Sequence, residues 1–269
     1  MAFSPNGQIL AGVDVADGTL RLWDVTADRQ IETLVASKSN GPAAVEFSPD
    51  GRMLAAGYSG GWGRSEGWVR LWDIATGREI GTGMRNASWP TAVAFSPDGR
   101  TLEVADERGT VQLWDVATEH RVGNPMQADS GPASTLAFSR DGRLLASVGN
   151  PGSLTIWDVA SGKQASPLHG DTGNLNSVTF SPDGQMLATA DDDGAVRLWD
   201  VVTRQEVGNP LDSGTGSVNT VAFSPDGRTL ATGNYDGTIQ CRCLSAANYR
   251  FVTRQPWHDA GYASVDRVS

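Results

Sequence analysis

One pattern in the sequence could carry covalent catalysis. Gly57-Tyr58-Ser59-Gly60-Gly61 matches the G-x-S-x-G pattern around the nucleophilic serine of many hydrolases. Such a serine needs a sharp turn from a strand into a helix, which exposes its hydroxyl to a base. The residues that follow, 62–73, contain glycine and tryptophan and then a short apolar run, so they predict a loop and another strand. The pattern therefore indicates an ordinary loop, and we expect no serine nucleophile.

Residue types that bind metals are present, but their spacing does not form a site. His120, His169 and His258 are far apart and show no ligand spacing with one another or with cysteine. The run from Asp191 to Gly194 resembles the start of a calcium loop, yet the alternating Asp residues and the distal Glu are absent. No glycine loop is followed by the lysine that would hold a phosphate. We therefore predict no catalytic residue, no metal and no cofactor.

The cysteines and the net charge restrict the environment and the partners. Cys241 and Cys243 lie two residues apart on one predicted strand, where Cα atoms are ~6.5–7 Å apart, at the limit for a disulfide. Free thiols, and an N-terminus without the pattern of a signal peptide, predict a cytoplasmic protein. The net charge of −10 over 269 residues disfavours nucleic acid and anionic membranes as partners. No apolar run reaches the ~20 residues that span a bilayer.

Two short signatures recur along the whole chain and reveal its organisation. The first is Phe-Ser-x-x-Gly, which is repeated every 42 to 48 residues and begins at Phe3, Phe47, Phe95, Phe138, Phe180 and Phe223. The second is an apolar residue followed by Trp-Asp, with the tryptophans at Trp23, Trp72, Trp114, Trp157 and Trp199. A sixth slot holds Cys241-Arg242-Cys243, so both the Trp and the Asp are lost there. The chain therefore contains six copies of one structural unit.

Each copy predicts a small antiparallel sheet of four strands. In the third copy the strands are expected near 91–95, 101–105, 110–116 and 120–123. Ser96-Pro97-Asp98-Gly99 forms the first reversal, because Pro presets the φ of a turn and Gly accepts the positive φ that follows. Val111 and Leu113 point to one face of the third strand and Trp114 to the other, so both faces must be covered. A ring of sheets achieves this, which predicts an all-β propeller whose inner strands line a central channel.

These repeats resemble WD40 repeats, and the resemblance covers about residues 2–253. It implies a six-bladed propeller over 1–253, with repeats beginning near 2, 43, 91, 134, 176 and 219, a last strand near 249–253, and a loose tail at 254–269. Segments 122–126 and 207–211 further resemble bacterial WD40 arrays. The resemblance implies a non-catalytic scaffold for a protein or peptide partner. It assigns structural roles to the repeated tryptophans and to three loop aspartates, Asp17, Asp193 and Asp236.

Two alternatives to a scaffold remain open from the sequence. The first is a regulatory or sensor segment separated from a larger bacterial signalling ATPase or kinase, since bacterial WD40 arrays are often attached to such domains. The second is an enzyme with a site at the mouth of the channel, which requires clustered acids, histidines or a metal. The gene upstream tests the first alternative, and a metal analysis of the purified chain tests the second.

The sequence departs from the family pattern at two places that affect ring closure and rigidity. The family usually places a His nine residues before the Phe, where it belongs to a buried polar network. Here those positions hold Lys38, Asn86, Asp129, Asp171 and Gly214, so we expect that network to be incomplete. Met1 lies two residues before Phe3, so we expect the ring to close without the usual overlap of N- and C-terminal strands. The short start also suggests separation from a longer parent.

The third departure is an insertion at 58–68 in the second copy, in a loop on the face where partners of this family often bind. The insertion and the loop leading into the third copy contain tryptophans outside the repeated slots. Exposed Trp and Arg anchor many interfaces, although these residues could instead only pack the enlarged loop against its blade. The predicted contact residues are Tyr58, Trp62, Arg64, Trp68, Arg85 and Trp89.

Overall fold

A computed structural model describes residues 1–14, 19–34, 42–59, 66–127, 131–149, 153–165, 168, 174–214 and 216–244. Within these ranges the regular structure is entirely β, with twenty-three strands in six antiparallel sheets. Consecutive strands are neighbours in each sheet, so every repeat forms its own sheet as a meander. The prediction of a six-bladed all-β propeller is therefore confirmed.

The blades follow one another in chain order, and each runs from an inner strand at the channel to an outer strand. Blades one to three contain β1 (Ala2–Phe3), β2 (Ile9–Asp14), β3 (Thr19–Asp24), β4 (Arg29–Leu34), β5 (Pro42–Phe47), β6 (Met53–Ser59), β7 (Gly67–Asp73), β8 (Arg78–Asn86), β9 (Pro90–Phe95), β10 (Thr101–Asp106), β11 (Thr110–Asp115) and β12 (Arg121–Gln127). Blades four to six contain β13 (Ala133–Phe138), β14 (Leu144–Gly149), β15 (Ser153–Asp158), β16 (Lys163–Gln164), β17 (Leu175–Phe180), β18 (Met186–Asp191), β19 (Ala195–Asp200), β20 (Leu211–Asp212), β21 (Val218–Phe223), β22 (Thr229–Asn234) and β23 (Ile239–Cys243). Blade six has three described strands, and the strand predicted near 249–253 and the tail at 254–269 lie outside the described residues.

A repeated segment of Ser, any residue, Asp or Asn, and Gly closes the inner hairpin of each blade through its own polar atoms. In blade three the Ser96 hydroxyl donates to Asp98 Oδ1 over 2.6 Å and accepts from the Thr101 amide over 2.9 Å. Gly99 has a φ of 69°, a conformation that side chains with a Cβ rarely adopt. The hydrogen bond from Ser96 holds the pKa of Asp98 below its usual value. Because these partners recur at each turn, the sequence repeat fixes the hairpin repeat.

In blades two to five the repeat Trp joins its blade to the blade before it, whereas Trp23 of blade one is 39% exposed. We call the side of a blade that carries this Trp its leading face, and the opposite side its trailing face. Trp157 of blade four lies in one apolar cluster with Val111 and Leu113 of the trailing face of blade three. Trp72, Trp114 and Trp199 occupy the same place in three other clusters. These four tryptophans are buried and hold neighbouring blades together, as the repeat pattern predicts.

The ring nitrogens of these tryptophans differ in their partners. Trp157 Nε1 donates to the Ser147 hydroxyl over 3.2 Å, and Trp199 Nε1 donates to the Thr189 hydroxyl over 2.9 Å. Trp72 Nε1 and Trp114 Nε1 are buried without an acceptor. The matching second-strand positions in their blades hold Ala56 and Val104, which have no hydroxyl. The expectation of an incomplete polar network thus applies to blades two and three.

We expect Val104→Thr to stabilise the protein by about 1 kcal/mol, because the new hydroxyl lies where Thr189 meets Trp199 and can accept from Trp114 Nε1. Urea unfolding followed by tryptophan fluorescence measures the change. Thr189→Val is the matched control and should destabilise by about 1–3 kcal/mol, since it leaves the buried Trp199 ring N–H unpaired. If both variants shift the urea midpoint in the same direction, hydrogen bonding of the tryptophan ring N–H groups does not account for the changes in stability.

Candidate partner-binding surface on the second and third blades

The described structure places the possible chemical groups of the sequence in ordinary strands and turns. Gly57 to Ser59 complete β6, which continues antiparallel into β7, and Gly60 and Gly61 lie outside the described residues. Among the residues described, His, Cys, Asp and Glu form no group of three or more that could hold a metal ion. Cys241 and Cys243 are free thiols, as predicted. No helix in the described part of the chain has the length and apolar character to cross a membrane.

Three of the predicted contact residues form a row across blade two. Tyr58 pairs with Trp68 in register, and Trp68 pairs with Arg85 on the next strand. Side chains paired in register lie on the same face of a sheet, here the leading face. Trp62 and Arg64 belong to the segment 60–65, which lies outside the described residues.

Tyr58 does not fit its predicted role as an exposed contact. Its side chain is 2% exposed and belongs to the apolar cluster that joins blade one to blade two. Burial raises the pKa of Tyr58 to about 12. The pleat of β6 continues its apolar leading face from Leu54 and Ala56 to Tyr58, so this ring packs inward. Tyr58 is therefore a residue of the core between blades one and two rather than an exposed contact residue.

Arg85 and Trp68 remain accessible at the outer strands of the blade. Glu66 accepts two hydrogen bonds from Arg85, one of 3.1 Å between Arg85 Nε and Glu66 Oε2 and a second from the terminal nitrogen to Oε1. This pairing raises the pKa of Arg85, and it holds the guanidinium in one orientation. Arg121 of blade three donates to the Arg85 backbone oxygen over 3.2 Å. Trp68 is half-buried, and Arg85 is exposed.

Trp89 lies on a short connection between β8 and β9 that fits closely against blade two. A Cβ on Gly67 would lie 2.2 Å from Pro90 Cδ and 2.6 Å from the Ser88 oxygen, and a Cβ on Gly57 would lie 2.7 Å from Pro90 Cβ. Only glycine at these two positions allows the connection to approach so closely. Ser88 and Pro90 are buried on either side, whereas Trp89 is 36% exposed. The connection is therefore fixed by its neighbours while it presents an indole ring at the surface.

Hydrogen bonds also tie the Trp89 connection to blade three. The Ser88 hydroxyl donates to Glu107 Oε1 over 2.8 Å, and the Glu107 amide donates to the Trp89 backbone oxygen over 3.0 Å. Asn86, where the family has His, donates to the Ser88 oxygen over 3.0 Å and to Asp106 Oδ2 over 3.4 Å. An Asn thus performs in blade three part of the bonding that the missing His was expected to perform. The Trp89 connection packs on the trailing face of blade two, whereas Trp68 and Arg85 lie on its leading face at the same end of the blade. We call these three residues at that end of blade two the Trp89 patch.

The three loop aspartates with an expected structural role differ in the contacts that the structure shows for them. Asp236 Oδ1 accepts from the Thr238 amide over 2.9 Å and from its hydroxyl over 2.6 Å, which agrees with the expected structural role. Asp193 is exposed, and in its loop Asp191 instead accepts from the Ala195 amide over 2.7 Å. Asp17 lies outside the described residues.

The structure also shows two glutamates that the sequence reasoning missed. Inner strands of blades one to four line a channel cavity of about 390 Å³, and Glu46 is one of its lining residues. Glu46 Oε2 accepts from the Phe95 amide over 3.0 Å, and burial raises the pKa of Glu46 to about 8. Glu103 is fully buried without a partner for either oxygen, and burial together with the charge of Glu46 raises its pKa well above the usual value.

Alignment of the six copies would have revealed these two positions. The other copies hold alanine where blade three has Glu103, at Ala11, Ala55, Ala146, Ala188 and Ala231. Four of these alanines are fully buried, and a charged residue in such a slot is a signal of an altered interior. Within the described residues, Glu46 and Glu103 belong to no group of three or more His, Cys, Asp or Glu that could hold a metal ion.

Six repeated antiparallel sheets, joined face to face by tryptophan and with inner strands along a channel, define a β-propeller. The family model "WD domain, G-beta repeat" matches six segments, residues 1–24, 29–73, 79–115, 124–158, 162–200 and 208–241. The chain therefore belongs to the WD40 repeat family, as its repeats indicate. Propellers of this family are in general scaffolds for protein interactions. No curated protein matches the chain.

Proposed function

We propose that this protein is a non-catalytic interaction scaffold that binds a protein or peptide through the Trp89 patch. The observation that carries the proposal is the placement of Trp89, which is 36% exposed while Ser88 and Pro90 on either side are buried. An indole ring on a fixed connection, with an oriented Arg85 at the same end of blade two, has the composition of an interface anchor. Trp68 pairs with Arg85 in register and adds a second indole ring at this end of blade two.

Preorganisation is the physical reason why this patch can bind tightly. Binding normally costs the ordering of loops and side chains at the interface. Here the Trp89 connection is already held by its close fit against Gly57 and Gly67, which we call the glycine notch, and by Glu107. Arg85 is already held by Glu66. A partner therefore has little ordering cost to offset when it covers these residues.

Charge narrows the chemistry of the partner. Glu66 neutralises Arg85 within the patch, so the patch itself offers apolar contact and hydrogen bonds rather than a net charge. The whole chain carries −10, and that field attracts a positively charged partner and repels nucleic acid and anionic lipid. We propose a partner segment with an apolar or aromatic side chain for Trp89 and a net positive charge, and a cytoplasmic setting that keeps Cys241 and Cys243 reduced.

Arg85→Ala combined with Trp89→Ala should abolish capture of the partner from native cell extract, because it removes the two anchors. The measurement is quantitative comparison of the proteins retained by wild-type and variant chains. The loss of Arg85 should by itself change thermal unfolding little, since Arg85 is exposed and an exposed ion pair contributes about 0–1 kcal/mol.

Two further variants sharpen this experiment. Tyr235→Ala is the matched control, because Tyr235 is an exposed aromatic in the β22–β23 turn, at the same end of the blades as the β6–β7 connection. It should retain the partner. Gly67→Ala should weaken capture without removing a contact residue, since its methyl group would displace the Trp89 connection. Retention of the same protein by the Arg85/Trp89 variant would refute the patch, and equal loss with Tyr235→Ala would show that the effect is not specific to it.

A further inference from the structure

Blade one presents a leading face that no described blade covers. Its repeat tryptophan, Trp23, is 39% exposed, whereas the four equivalent tryptophans are 0–5% exposed. Phe3, on the inner strand of the same face, is 61% exposed, and its equivalents Phe47 and Phe95 are both 5% exposed. Leu10, between them, is partly exposed, whereas Leu54 and Leu102 in the same slot are fully buried. The residue types that form every other junction are therefore present here without a neighbour.

The trailing face of blade six is likewise not covered by any described blade. Ile239 is 78% exposed, whereas Val111 and Val196 in the same slot are fully buried. Cys241 is exposed where blades three and five have the buried Leu113 and Leu198. Five apolar clusters join blade one to two and onward to blade six, and among the described residues none joins blade six back to blade one.

The two open faces carry the same kinds of residues as the two sides of a completed junction between blades. Each completed junction joins a trailing pair of apolar residues, such as Val196 and Leu198, to the leading face of the next blade, such as Val221 and Leu230. The trailing face of blade six offers Ile239 and Cys241, and the leading face of blade one offers Leu10 and Trp23. Contiguous exposed apolar faces of this sort mark a contact surface. What fits the trailing face of blade six is therefore a leading face like that of blade one.

We propose that a second copy of this chain covers these faces, with the trailing face of blade six in one copy packed on the leading face of blade one in the next. The described parts of blades six and one of the same chain do not meet, so a second copy is what supplies both complementary surfaces, whereas an unrelated partner would need to imitate a blade. The contact is heterologous, so two copies close into a pair if both junctions form, and otherwise the copies extend as a chain. This association goes beyond the proposed scaffold function and uses no residue of the Trp89 patch.

The net charge of −10 on each copy predicts how the association depends on salt. Like charges on two approaching copies repel, and salt screens that repulsion over about 8–10 Å at 0.1–0.15 M. The apolar contact between the faces is not weakened by such screening. The dimer fraction should therefore rise with added salt, and a fall with salt would show that ion pairs, rather than the apolar faces, drive association.

Cross-linking distinguishes the second copy from closure within one chain. Leu198 and Leu230 share one cluster at the completed junction of blades five and six, and their counterparts at the open faces are Cys241 and Leu10. In a chain with Leu10→Cys and Cys243→Ser, the introduced thiol of one copy should therefore form a disulfide with Cys241 of the next copy under mild oxidation. Denaturing electrophoresis should then show a band of twice the chain mass, and the same chain with Cys241→Ser should lack it.

Light scattering on the otherwise unaltered chain supplies an independent readout. The mass should rise toward twice that of one chain as concentration increases, and Ile239→Glu should return it to that of one chain. Ile239 is 78% exposed, so this substitution leaves the fold of the single chain intact. A link formed within one chain, seen as a faster-migrating monomer band, would overturn the proposal, and so would a mass of one chain at every concentration and salt.

Discussion

The free energy of unfolding should fall as the pH rises from about 5 to 8, and Glu46→Gln combined with Glu103→Gln should flatten that dependence. Burial raises the pKa of Glu46 from 4.5 to about 8, and it raises that of Glu103 well above 4.5. The unfolded chain loses these protons near pH 4.5, whereas the folded chain keeps that of Glu46 until about pH 8. The contribution of the two glutamates to the free energy of unfolding is therefore fully present below pH 4.5. It is lost as the pH rises toward 8, by up to about 1.4 kcal/mol per pH unit for each glutamate.

The turn aspartates set the acid limit of this pH profile. Ser96 lowers the pKa of Asp98, and Thr118 lowers that of Asp115, as their equivalents do in other blades. A carboxyl whose pKa is lowered by folding stabilises the protein above its unfolded value and loses that contribution as the pH falls. Stability should therefore be greatest near pH 5, between the loss of the aspartate contributions below and the ionisation of the glutamates above.

Urea unfolding at pH 5, 6, 7 and 8 measures this prediction. Glu103→Ala is a useful second variant because the other five copies hold alanine at this position, so the fold accepts it there. The slope of the free energy of unfolding against pH is the decisive quantity, since a change in packing alters that free energy by the same amount at every pH. Parallel curves for the wild type and the double Gln variant would show that these carboxyls are already ionised in the folded chain.

Trp199→Ala should destabilise the protein by about 3–5 kcal/mol, whereas Trp23→Ala should cost less than half as much. Trp199 is fully buried between blades four and five, and its ring nitrogen donates to the Thr189 hydroxyl. Alanine there leaves both a cavity and an unpaired hydroxyl. Trp23 has the same sequence context but is 39% exposed, because no described blade covers its face.

The comparison of these two variants is made by urea unfolding at low protein concentration. Association between copies would bury Trp23 and raise its contribution, so the small effect is expected only for the single chain. A loss at Trp23 as large as at Trp199, independent of concentration, would mean that blade one is covered within its own chain in solution. That result would contradict the open faces on which the proposed association depends.

Much of the fold could be predicted because each repeat carries its own turn chemistry. The Ser96–Asp98 and Asp115–Thr118 hydrogen bonds form between residues two or three apart, so the local sequence determines them. The strand period and the tryptophan slots then predict which face each blade buries. Trp23 shows where this reasoning fails, since its repeat resembles the others and yet no described blade lies against its face, so the ring is 39% exposed.

The candidate site was predictable only in part, for a similar reason. Trp89 and Arg85 stand outside the repeat pattern, and that departure identified them. Tyr58 also departs from it, but the packing of blade two on blade one buries its ring, which no local pattern reveals. The glycine notch that positions Trp89 brings together Gly57, Gly67 and Pro90 from three strands, so it became visible only in the structure.

The central claim is that the Trp89 patch binds the partner, and the affinity of the captured partner for single variants tests it most directly. Calorimetry should show that Trp89→Ala weakens binding by about 2 kcal/mol or more, roughly thirtyfold, as expected for loss of a central aromatic anchor. Tyr235→Ala, an exposed aromatic on another blade, should change the dissociation constant less than about twofold, since it removes no contact. An unchanged affinity for Trp89→Ala would contradict the proposed binding surface.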